Sequence, residues 1–218
     1  LLIAFSFGAF FEGAGGFGTP VAVTGAMLIG LGFSPLAASG LSLIANTAPV
    51  AYGALGTPII TLAKVTGLDV MQLSAMVGRQ LPLFSLIVPF WLVWAFCGFR
   101  NMIKVWPAVL VAGLFFAIPQ FVVSNYFGPE LVDVLAAIIS LAALALFLKF
   151  VWHPKEVWTS TTGKAEDNVE HTGGHHGYTG GEVLRAWLPW IILSVLVLIW
   201  GMPEVKKFWN GVWAPVFE

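Results

Sequence analysis

Two interrupted apolar stretches near the start of the chain carry residues that could bind an anion or move a proton. The first runs from Glu12 to Pro20 and contains four glycines and one proline in nine residues. Such a composition does not continue a regular helix. Glu12 is the only acid among the first 68 residues, and a carboxyl group in apolar surroundings is costly when ionised. We therefore expect Glu12 to take up and release a proton near neutral pH.

The backbone of this first break is a candidate anion site. We expect a helix to restart at Pro20 with Thr19 as its N-cap, which points free N–H groups and the positive end of the helix dipole into the break. Gly16, Phe17 and Gly18 precede this helix. The alternative is a packing motif, in which small residues let membrane helices approach closely and the acid lies solvated near an interface.

The second stretch runs from Asn46 to Pro58 and ends in Gly-Thr-Pro, the tripeptide that closes the first stretch 38 residues earlier. Asn46 and Thr47 supply short donors and acceptors where Pro49 removes a backbone donor. Two such breaks facing each other would form a small polar chamber inside an apolar bundle. The alternative is a proline-kinked helix whose asparagine only repairs its own backbone. The candidate lining residues here are Asn46, Thr47, Ala48, Tyr52 and Thr57.

Polar residues elsewhere give weaker signals. Arg79 could form a bidentate pair with a carboxylate, but at the head of an apolar span the more usual arginine is interfacial, with its charge reaching the headgroups. The spacing of His171, His175 and His176 suits zinc only on a helix, and the glycines among them oppose a helix. We therefore expect neither a metal site nor a cofactor.

The overall composition assigns the chain to the integral membrane proteins. Of its 218 residues, 58% are hydrophobic and 10% are charged, whereas soluble domains carry about 25% charged residues. The net charge of −1 provides no basic surface for nucleic acid. Cys97 is the single cysteine, which excludes an internal disulfide framework and suits a packed thiol.

Hydrophobic runs predict an all-α fold, a polytopic transmembrane helical bundle with re-entrant or broken helices. Residues 1–66 contain only short apolar segments interrupted by glycine and proline, a pattern typical of broken helices in transporters. Residues 67–80 suit an interfacial amphipathic helix, residues 81–151 three transmembrane helices, residues 152–186 a polar cytoplasmic loop, and residues 187–218 a transmembrane helix with an interfacial tail. The four expected spans are Leu81–Gly98, Val105–Ser124, Val132–Val151 and Trp187–Met202.

Loop charges orient these spans. Arg100 and Lys104 place their loop in the cytoplasm, and the base-free loop Asn125–Asp133 then lies outside. Lys206 and Lys207 run against this orientation. Because the chain opens on residues typical of the inside of a helix, we expect it to be the middle of a longer membrane protein, truncated at both ends.

Taken together, these motifs resemble the L-lactate permease family of bacterial transporters. The similarity runs in order over about residues 5–190 and leaves out loop 153–176, whose histidine-rich stretch looks like an insertion. It rests on the segments Gly8–Gly13, Gly16–Ala22, Leu28–Phe33, Asn46–Ala51, Met76–Pro82, Trp106–Val109, Ser124–Asn125 and Gly128–Leu131, and more weakly on Gly177–Thr179 and Leu184–Trp187.

The resemblance implies a secondary active transporter of the bacterial inner membrane that takes up L-lactate, D-lactate and glycolate together with protons. Members of the family are much longer, with about a dozen spans, so this chain would correspond to the middle of their first half and the start of the next part. The expected partners are a small monocarboxylate, protons and the lipid bilayer, with no nucleic acid.

Roles for single residues follow from combining the resemblance with the two breaks. Glu12 is the expected proton carrier, and the backbone at Gly16–Pro20 and Asn46–Ala48 is expected to bind the substrate carboxylate. The expected substrate contacts are Gly16, Phe17, Gly18, Thr19, Asn46, Thr47, Ala48, Tyr52, Thr57 and Arg79, of which Thr19, Thr57 and Tyr52 would reach the 2-hydroxyl group and Arg79 would guide the anion.

Three other functions compete with this interpretation. A sodium-coupled carboxylate carrier could use the carbonyl groups freed at the breaks, and sodium dependence of uptake separates it from a proton symporter. A membrane-embedded enzyme would need a nucleophile–base pair or a metal at membrane depth, whereas all four histidines lie in loop 152–186. A purely structural subunit is the third alternative, but in it the paired breaks would have no function.

Overall fold

The computed structural model describes residues 1–152 throughout. Beyond them it describes single positions, namely 181, 184, 185, 188, 191, 192, 195, 196, 198, 199, 202, 204, 205 and 207. The chain divides into two compact units, Leu1–Ser160 and Thr161–Glu218. Every regular element in residues 1–152 is a helix, which confirms the predicted all-α class.

The first four helices are short and separated by sharp breaks. They are α1 (Leu2–Gly15, π-helical over Leu2–Phe7), α2 (Thr19–Gly30), α3 (Pro35–Asn46) and α4 (Gly53–Thr66), with a 3₁₀ turn at Val50–Tyr52 before α4. α3 and the segment Val50–Thr66 are bent by 66° to each other. Each helix is shorter than the roughly 20 residues that cross a bilayer, in agreement with the broken helices predicted from glycine and proline.

Three long helices follow in the same unit. They are α5 (Val70–Cys97), α7 (Trp106–Tyr126) and α8 (Val132–Phe150), with the short α6 (Phe99–Lys104) between α5 and α7. Each of the three is long and apolar enough to cross a membrane, and the bent pair brings the candidate spans in the described residues to four. The three long helices contain the spans expected to begin at Leu81, Val105 and Val132, apart from one residue at some of their ends.

α5 is longer than the sequence indicated. The expected boundary between an interfacial helix at 67–80 and a span from Leu81 is absent, because the helix runs unbroken over Val70–Cys97. Two prolines lie inside it, which membrane helices tolerate. The helix begins where the Asp69 carboxylate accepts a hydrogen bond from the Gln72 amide at 2.9 Å. The interfacial position expected for residues 67–80 stays a prediction.

α1 is the central element of the first unit. All its residues from Ala4 to Gly13 are buried. The ring of Phe5 lies 5.1 Å from that of Phe116 on α7. The hydroxyl of Ser6 lies 2.9 Å from the hydroxyl of Ser140 on α8. α7 and α8 therefore pack against α1, and Glu12 and Gly13 in its last turn are buried.

The fourth expected span, Trp187–Met202, and the loop at 152–186 lie largely outside the described residues. Within the span, the described positions 188, 191, 192, 195, 196, 198 and 199 are helical. The three histidines considered for zinc, His171, His175 and His176, lie outside the described residues, as does most of the expected interfacial tail.

Candidate functional site

The first break is built on two glycines with left-handed backbone. Gly16 has a φ of 82° and Gly18 a φ of 83°, a region that glycine adopts readily. α2 then begins at Thr19, and Gly18 is its N-cap residue. The prediction of a threonine cap and a start at Pro20 is therefore wrong. The left-handed glycine already turns the chain into the helix, and the Thr19 hydroxyl donates instead to the Gly15 carbonyl oxygen at 3.4 Å.

The second break covers the end of α3 and the start of α4. The carbonyl oxygen of Ile44 at the end of α3 accepts two hydrogen bonds from Thr47, one from the hydroxyl at 2.7 Å and one from the backbone amide at 3.2 Å. Ala54, Leu55 and Gly56 then have φ values of 49°, 54° and 74°. Left-handed backbone costs a non-glycine residue about 1–2 kcal/mol, so packing around the break has to hold this conformation.

The two Gly-Thr-Pro tripeptides share a local geometry. In each, the glycine has a left-handed backbone and the threonine hydroxyl donates to a carbonyl oxygen earlier in the chain. Thr19 donates to Gly15, and Thr57 donates to Ala54. The proline follows at once as the helix continues. A tripeptide match that is weak evidence in the sequence is thus a repeat of backbone structure.

The two breaks lie side by side. A methyl group on Gly16 would stand 3.2 Å from the Cβ atom of Ala54, so the segments touch there. Gly56 packs against the loop before α8, where an added methyl group would stand 2.6 Å from the Pro129 carbonyl oxygen. Only glycine fits at that contact, which helps to hold the left-handed residues in place.

Glu12 lies beside this junction and is completely buried. Its carboxyl group packs on Gly53, where a methyl group would stand 2.8 Å from Oε1 and 3.0 Å from Cγ. Neither carboxyl oxygen has a hydrogen-bond partner among the described residues. The Asn46 side chain lies near this carboxyl group. A buried carboxylate without partners is costly, so this environment favours the neutral acid.

Asp133 is a candidate that the sequence analysis did not single out. It closes a loop expected outside the membrane, yet it is completely buried in the first turn of α8, and neither carboxylate oxygen has a partner among the described residues. A methyl group on Gly13 would stand 3.0 Å from the Asp133 Cβ atom, and the carboxyl group lies within electrostatic range of Glu12. The one available signal was its position inside the expected span Val132–Val151.

Uncharged polar side chains support the second break. The buried Tyr52 donates its hydroxyl hydrogen to the carbonyl oxygen of Ser74 at 2.7 Å, and the Ser74 hydroxyl donates to the carbonyl oxygen of Ser124 at 2.8 Å. The Gln120 side-chain amide of α7 donates to the Ala48 carbonyl oxygen at 3.5 Å. Serine and glutamine inside apolar helices carried no distinctive pattern, so the sequence did not identify these supports.

The expected site residues fall into three groups. Glu12, Gly16, Ala48 and Tyr52 are buried around the junction. Arg79 is exposed on α5, where its Nε donates to the Asn125 side-chain oxygen at 3.2 Å. Of the others, Thr19 and Asn46 are half-buried, and Phe17, Gly18, Thr47 and Thr57 are exposed.

Comparison with known proteins identifies a matching family and several similar proteins. A family model described as L-lactate permease matches residues 1–217. A glycolate permease of Escherichia coli (strain K12) is 54% identical over 213 residues, which cover 94% of this chain and 38% of that protein. L-lactate permeases of Bacillus subtilis (strain 168) and Escherichia coli (strain K12) are 48% and 50% identical, over 97% and 94% of this chain. The chain spans 37–38% of the length of these relatives. No solved structure matches it.

Proposed function

The chain belongs to the L-lactate permease family, and on this basis we propose that it contributes to a proton-coupled transporter of the bacterial inner membrane. The proposed substrates are L-lactate and the related 2-hydroxy monocarboxylates D-lactate and glycolate. The names of the relatives, which are lactate and glycolate permeases, support this substrate class. The proposed activity belongs to the complete transporter, so each experiment uses the complete protein.

The environment of Glu12 is the observation that carries the proposal. Its carboxyl group is completely buried and unpartnered, and it lies where the two broken helices touch. Such a group is stable as the neutral acid and ionises when water or a positive charge reaches it. A conformational change that opened the junction to one side of the membrane would therefore load or release one proton, as coupling requires.

The two breaks supply the proposed substrate contacts. The first turn of α2 has N–H groups without helical acceptors, and the positive end of the helix dipole favours a carboxylate there. We place the substrate carboxylate against the backbone of Gly16–Thr19 and Asn46–Ala48. Thr19, Thr57 and Tyr52 are the proposed contacts of the 2-hydroxyl group. The phenol oxygen of Tyr52 can accept this hydrogen bond while it still donates to the Ser74 carbonyl.

Coupling requires that both ligands favour the same state of the protein. A ligand shifts a conformational equilibrium only by its difference in affinity for the two states. We propose that the substrate anion and the protonated Glu12 both favour the state that closes inward. Arg79, exposed on α5, would raise the local concentration of the anion, and this effect would weaken as salt screens its charge.

A sodium-coupled carboxylate carrier is the second candidate. The specific observation in its favour is the buried Oδ1 atom of Asn46, which has no hydrogen-bond partner among the described residues and belongs to a side chain that lies near Glu12. Carboxylate and amide oxygens are ligands that hard cations prefer. In this second proposal, a sodium ion at the junction would bind the Glu12 carboxylate and the Asn46 amide oxygen, whereas in the first proposal Glu12 is neutralised by a proton.

Uptake of labelled L-lactate into proteoliposomes tests the two proposals against each other. An imposed pH gradient, acid outside, is compared with a sodium gradient at equal pH. We expect accumulation with the pH gradient alone. Accumulation that needs sodium would replace the proton symporter with the sodium carrier, and no accumulation under either gradient would refute both the coupling and the substrate.

Substitution of Glu12 by Gln then tests the role of this residue. The amide has nearly the shape of the neutral acid but cannot release a proton, so we expect exchange of labelled for unlabelled lactate to persist and pH-driven accumulation to be lost. Glu130→Gln, in the loop before α8, is the matched control and should retain both. Accumulation by Glu12→Gln that still follows the pH gradient would remove Glu12 as the proton carrier.

A further inference from the structure

We propose that Gly78 is a positioning residue of the transporter. Because it has no side chain, it admits the hydroxyl group of Tyr52 to the contact between α5 and α7, and this anchorage holds the second break against Glu12. The inference rests on the proposed function, in which Glu12 carries the proton, and extends it to a residue outside both breaks. We call the three residues around the hydroxyl group, Ser74, Gly78 and Ser124, the phenol socket.

Three segments of the chain meet at Gly78. A methyl group on Gly78 would overlap the Ser124 hydroxyl of α7 and would stand 2.5 Å from the Ser124 Cβ atom. The same methyl group would stand 3.0 Å from the hydroxyl oxygen of Tyr52, in the turn before α4. All three residues are buried. A side chain therefore does not fit at position 78 while Ser124 and Tyr52 keep their places.

Hydrogen bonds hold the Tyr52 hydroxyl group in the phenol socket. It donates to the Ser74 carbonyl oxygen at 2.7 Å, and the Ser74 hydroxyl donates to the Ser124 carbonyl oxygen at 2.8 Å. Ser74 lies one helical turn before Gly78, and a helical side chain leans over the turn that precedes it. Glycine at position 78 therefore leaves the Ser74 carbonyl open to a second donor, which a carbonyl oxygen can accept.

Tyr52 transmits this anchorage to Glu12 through the backbone. Its ring belongs to a buried core cluster, which it shares with Ile59, Leu73, Val123 and Val132. Protein cores are close-packed, so the ring has no free space to enter when its hydroxyl group is displaced. The next residue, Gly53, packs on Glu12, since a methyl group there would stand 2.8 Å from Oε1. A displaced hydroxyl group therefore moves the wall against which the Glu12 carboxyl lies.

This wall matters because the Glu12 carboxyl group has no hydrogen-bond partner among the described residues. Close packing is what keeps water away from it, and water in a gap beside it would stabilise the ionised form. Glu12 would then release its proton while the junction is closed. We therefore expect a displaced Tyr52 to loosen the coupling of lactate to protons, with less effect on the exchange of lactate.

The test uses variants of the complete transporter that separate the socket from general packing. Tyr52→Phe removes the hydroxyl group and adds no atom. Gly78→Ala combined with Ser124→Gly keeps the new methyl group in the socket but removes the Ser124 atoms that it would overlap, and Ser124→Gly alone is its reference. Gly113→Ala is the matched control, because its methyl group would crowd the Leu86 carbonyl oxygen at 2.8 Å, in the same pair of helices but outside the phenol socket.

The measured quantity is the ratio of pH-driven lactate accumulation to lactate exchange at saturating lactate, together with the melting temperature. In Tyr52→Phe we expect this ratio to fall about threefold to tenfold, the effect on an equilibrium of one lost hydrogen bond of ordinary net strength. Gly78→Ala with Ser124→Gly should show a similar fall relative to Ser124→Gly, at little cost in melting temperature. Gly113→Ala should lower the melting temperature and leave the ratio unchanged.

A combined variant identifies the hydroxyl group as the link. Since both changes act on the same hydrogen bond, Tyr52→Phe should produce no further fall in the ratio when it is added to Gly78→Ala with Ser124→Gly. Falls that multiply would show that Gly78 does not act through Tyr52. A ratio that recovers with Ser124→Gly would mean that Gly78 only packs α5 on α7.

The remaining outcomes separate this inference from the proposed function. An unchanged ratio in Tyr52→Phe, or a Gly78→Ala variant that does not fold even with Ser124→Gly, would overturn the positioning role and leave the proton symporter standing. The proposed function itself fails when the unmodified transporter does not accumulate lactate with protons, or when Glu12→Gln still does.

Discussion

The contact between Glu12 and Gly53 yields the sharpest prediction, through the substitution Gly53→Ala. Gly53 has φ −60° and ψ 161°, an extended conformation that alanine adopts as easily as glycine. Any effect of the substitution is therefore steric. The new methyl group would stand 2.8 Å from Oε1, 3.0 Å from Cγ and 3.2 Å from Cδ of Glu12, too close for non-bonded atoms.

The expected loss of free energy of unfolding depends on how easily the Glu12 carboxyl group can move away from the new methyl group. Overpacking a buried site costs about 1–3 kcal/mol. The Glu12 carboxyl group loses no hydrogen bond when it shifts, because its oxygens have no partner among the described residues. We therefore expect Gly53→Ala to lower the free energy of unfolding by about 1–2 kcal/mol. Since the displaced group is the proposed proton carrier, pH-driven lactate accumulation should fall further than lactate exchange.

Gly25→Ala is the matched control for this prediction. Gly25 is also buried, but the nearest atom to an added methyl group is Oγ of Ser42 at 3.9 Å, an ordinary contact. Alanine inside a helix is more stable than glycine by about 0.5–1 kcal/mol, so this variant should be neutral or stabilised. The assays are thermal denaturation of the purified transporter and lactate uptake in proteoliposomes.

A double substitution identifies the contact itself. Glu12→Asp shortens the side chain by one methylene group and withdraws the carboxyl from the new methyl, so the cost of Gly53→Ala should shrink in the Glu12→Asp background. A coupling free energy of about 0.5–1 kcal/mol is expected for residues in contact. Equal stability of Gly53→Ala and Gly25→Ala, or strictly additive effects of the two substitutions, would refute the placement of Glu12 against Gly53.

Three further predictions concern the supports of the site. Gln120→Leu removes the side-chain donor of the Ala48 carbonyl and should lower the free energy of unfolding by about 1–3 kcal/mol, measured by thermal denaturation. Ser140→Ala should destabilise more than Ser6→Ala in the same assay, because the Ser140 hydroxyl also donates to a carbonyl oxygen of α7 at 2.9 Å; equal losses would contradict this bonding scheme. Arg79→Gln should raise the KM for lactate at low ionic strength and have less effect at high salt, and a KM change independent of salt would instead indicate direct contact with the substrate.

The sequence predicted those parts of the molecule that depend on local properties of the chain. Clusters of glycine and proline separate α1 through α4 from one another, because glycine readily adopts a left-handed backbone and proline has no amide hydrogen to donate. α7 and α8 match their predicted spans because an apolar run of that length has few alternatives in a bilayer. The sequence analysis placed a helix boundary before Leu81, because polar residues such as Arg79 and Gln80 usually mark the point where a span meets the interface. α5 has no such boundary, because a helix continues through polar residues without loss of backbone hydrogen bonds.

The position of Asp133 in the site could not be predicted from the sequence. An acid three residues after Glu130 and one residue after the start of an apolar run has the local pattern of a loop that faces water. Its burial depends on a short helix more than 100 residues earlier, whose Gly13 leaves room for α8 to approach. The same helix contributes Glu12, which is buried against Gly53 one residue before this contact. The short α1 thus makes two contacts in its last turn, because Glu12 packs on Gly53 beside the second break while Gly13 packs on α8, and neither contact is visible in the local sequence around Asp133.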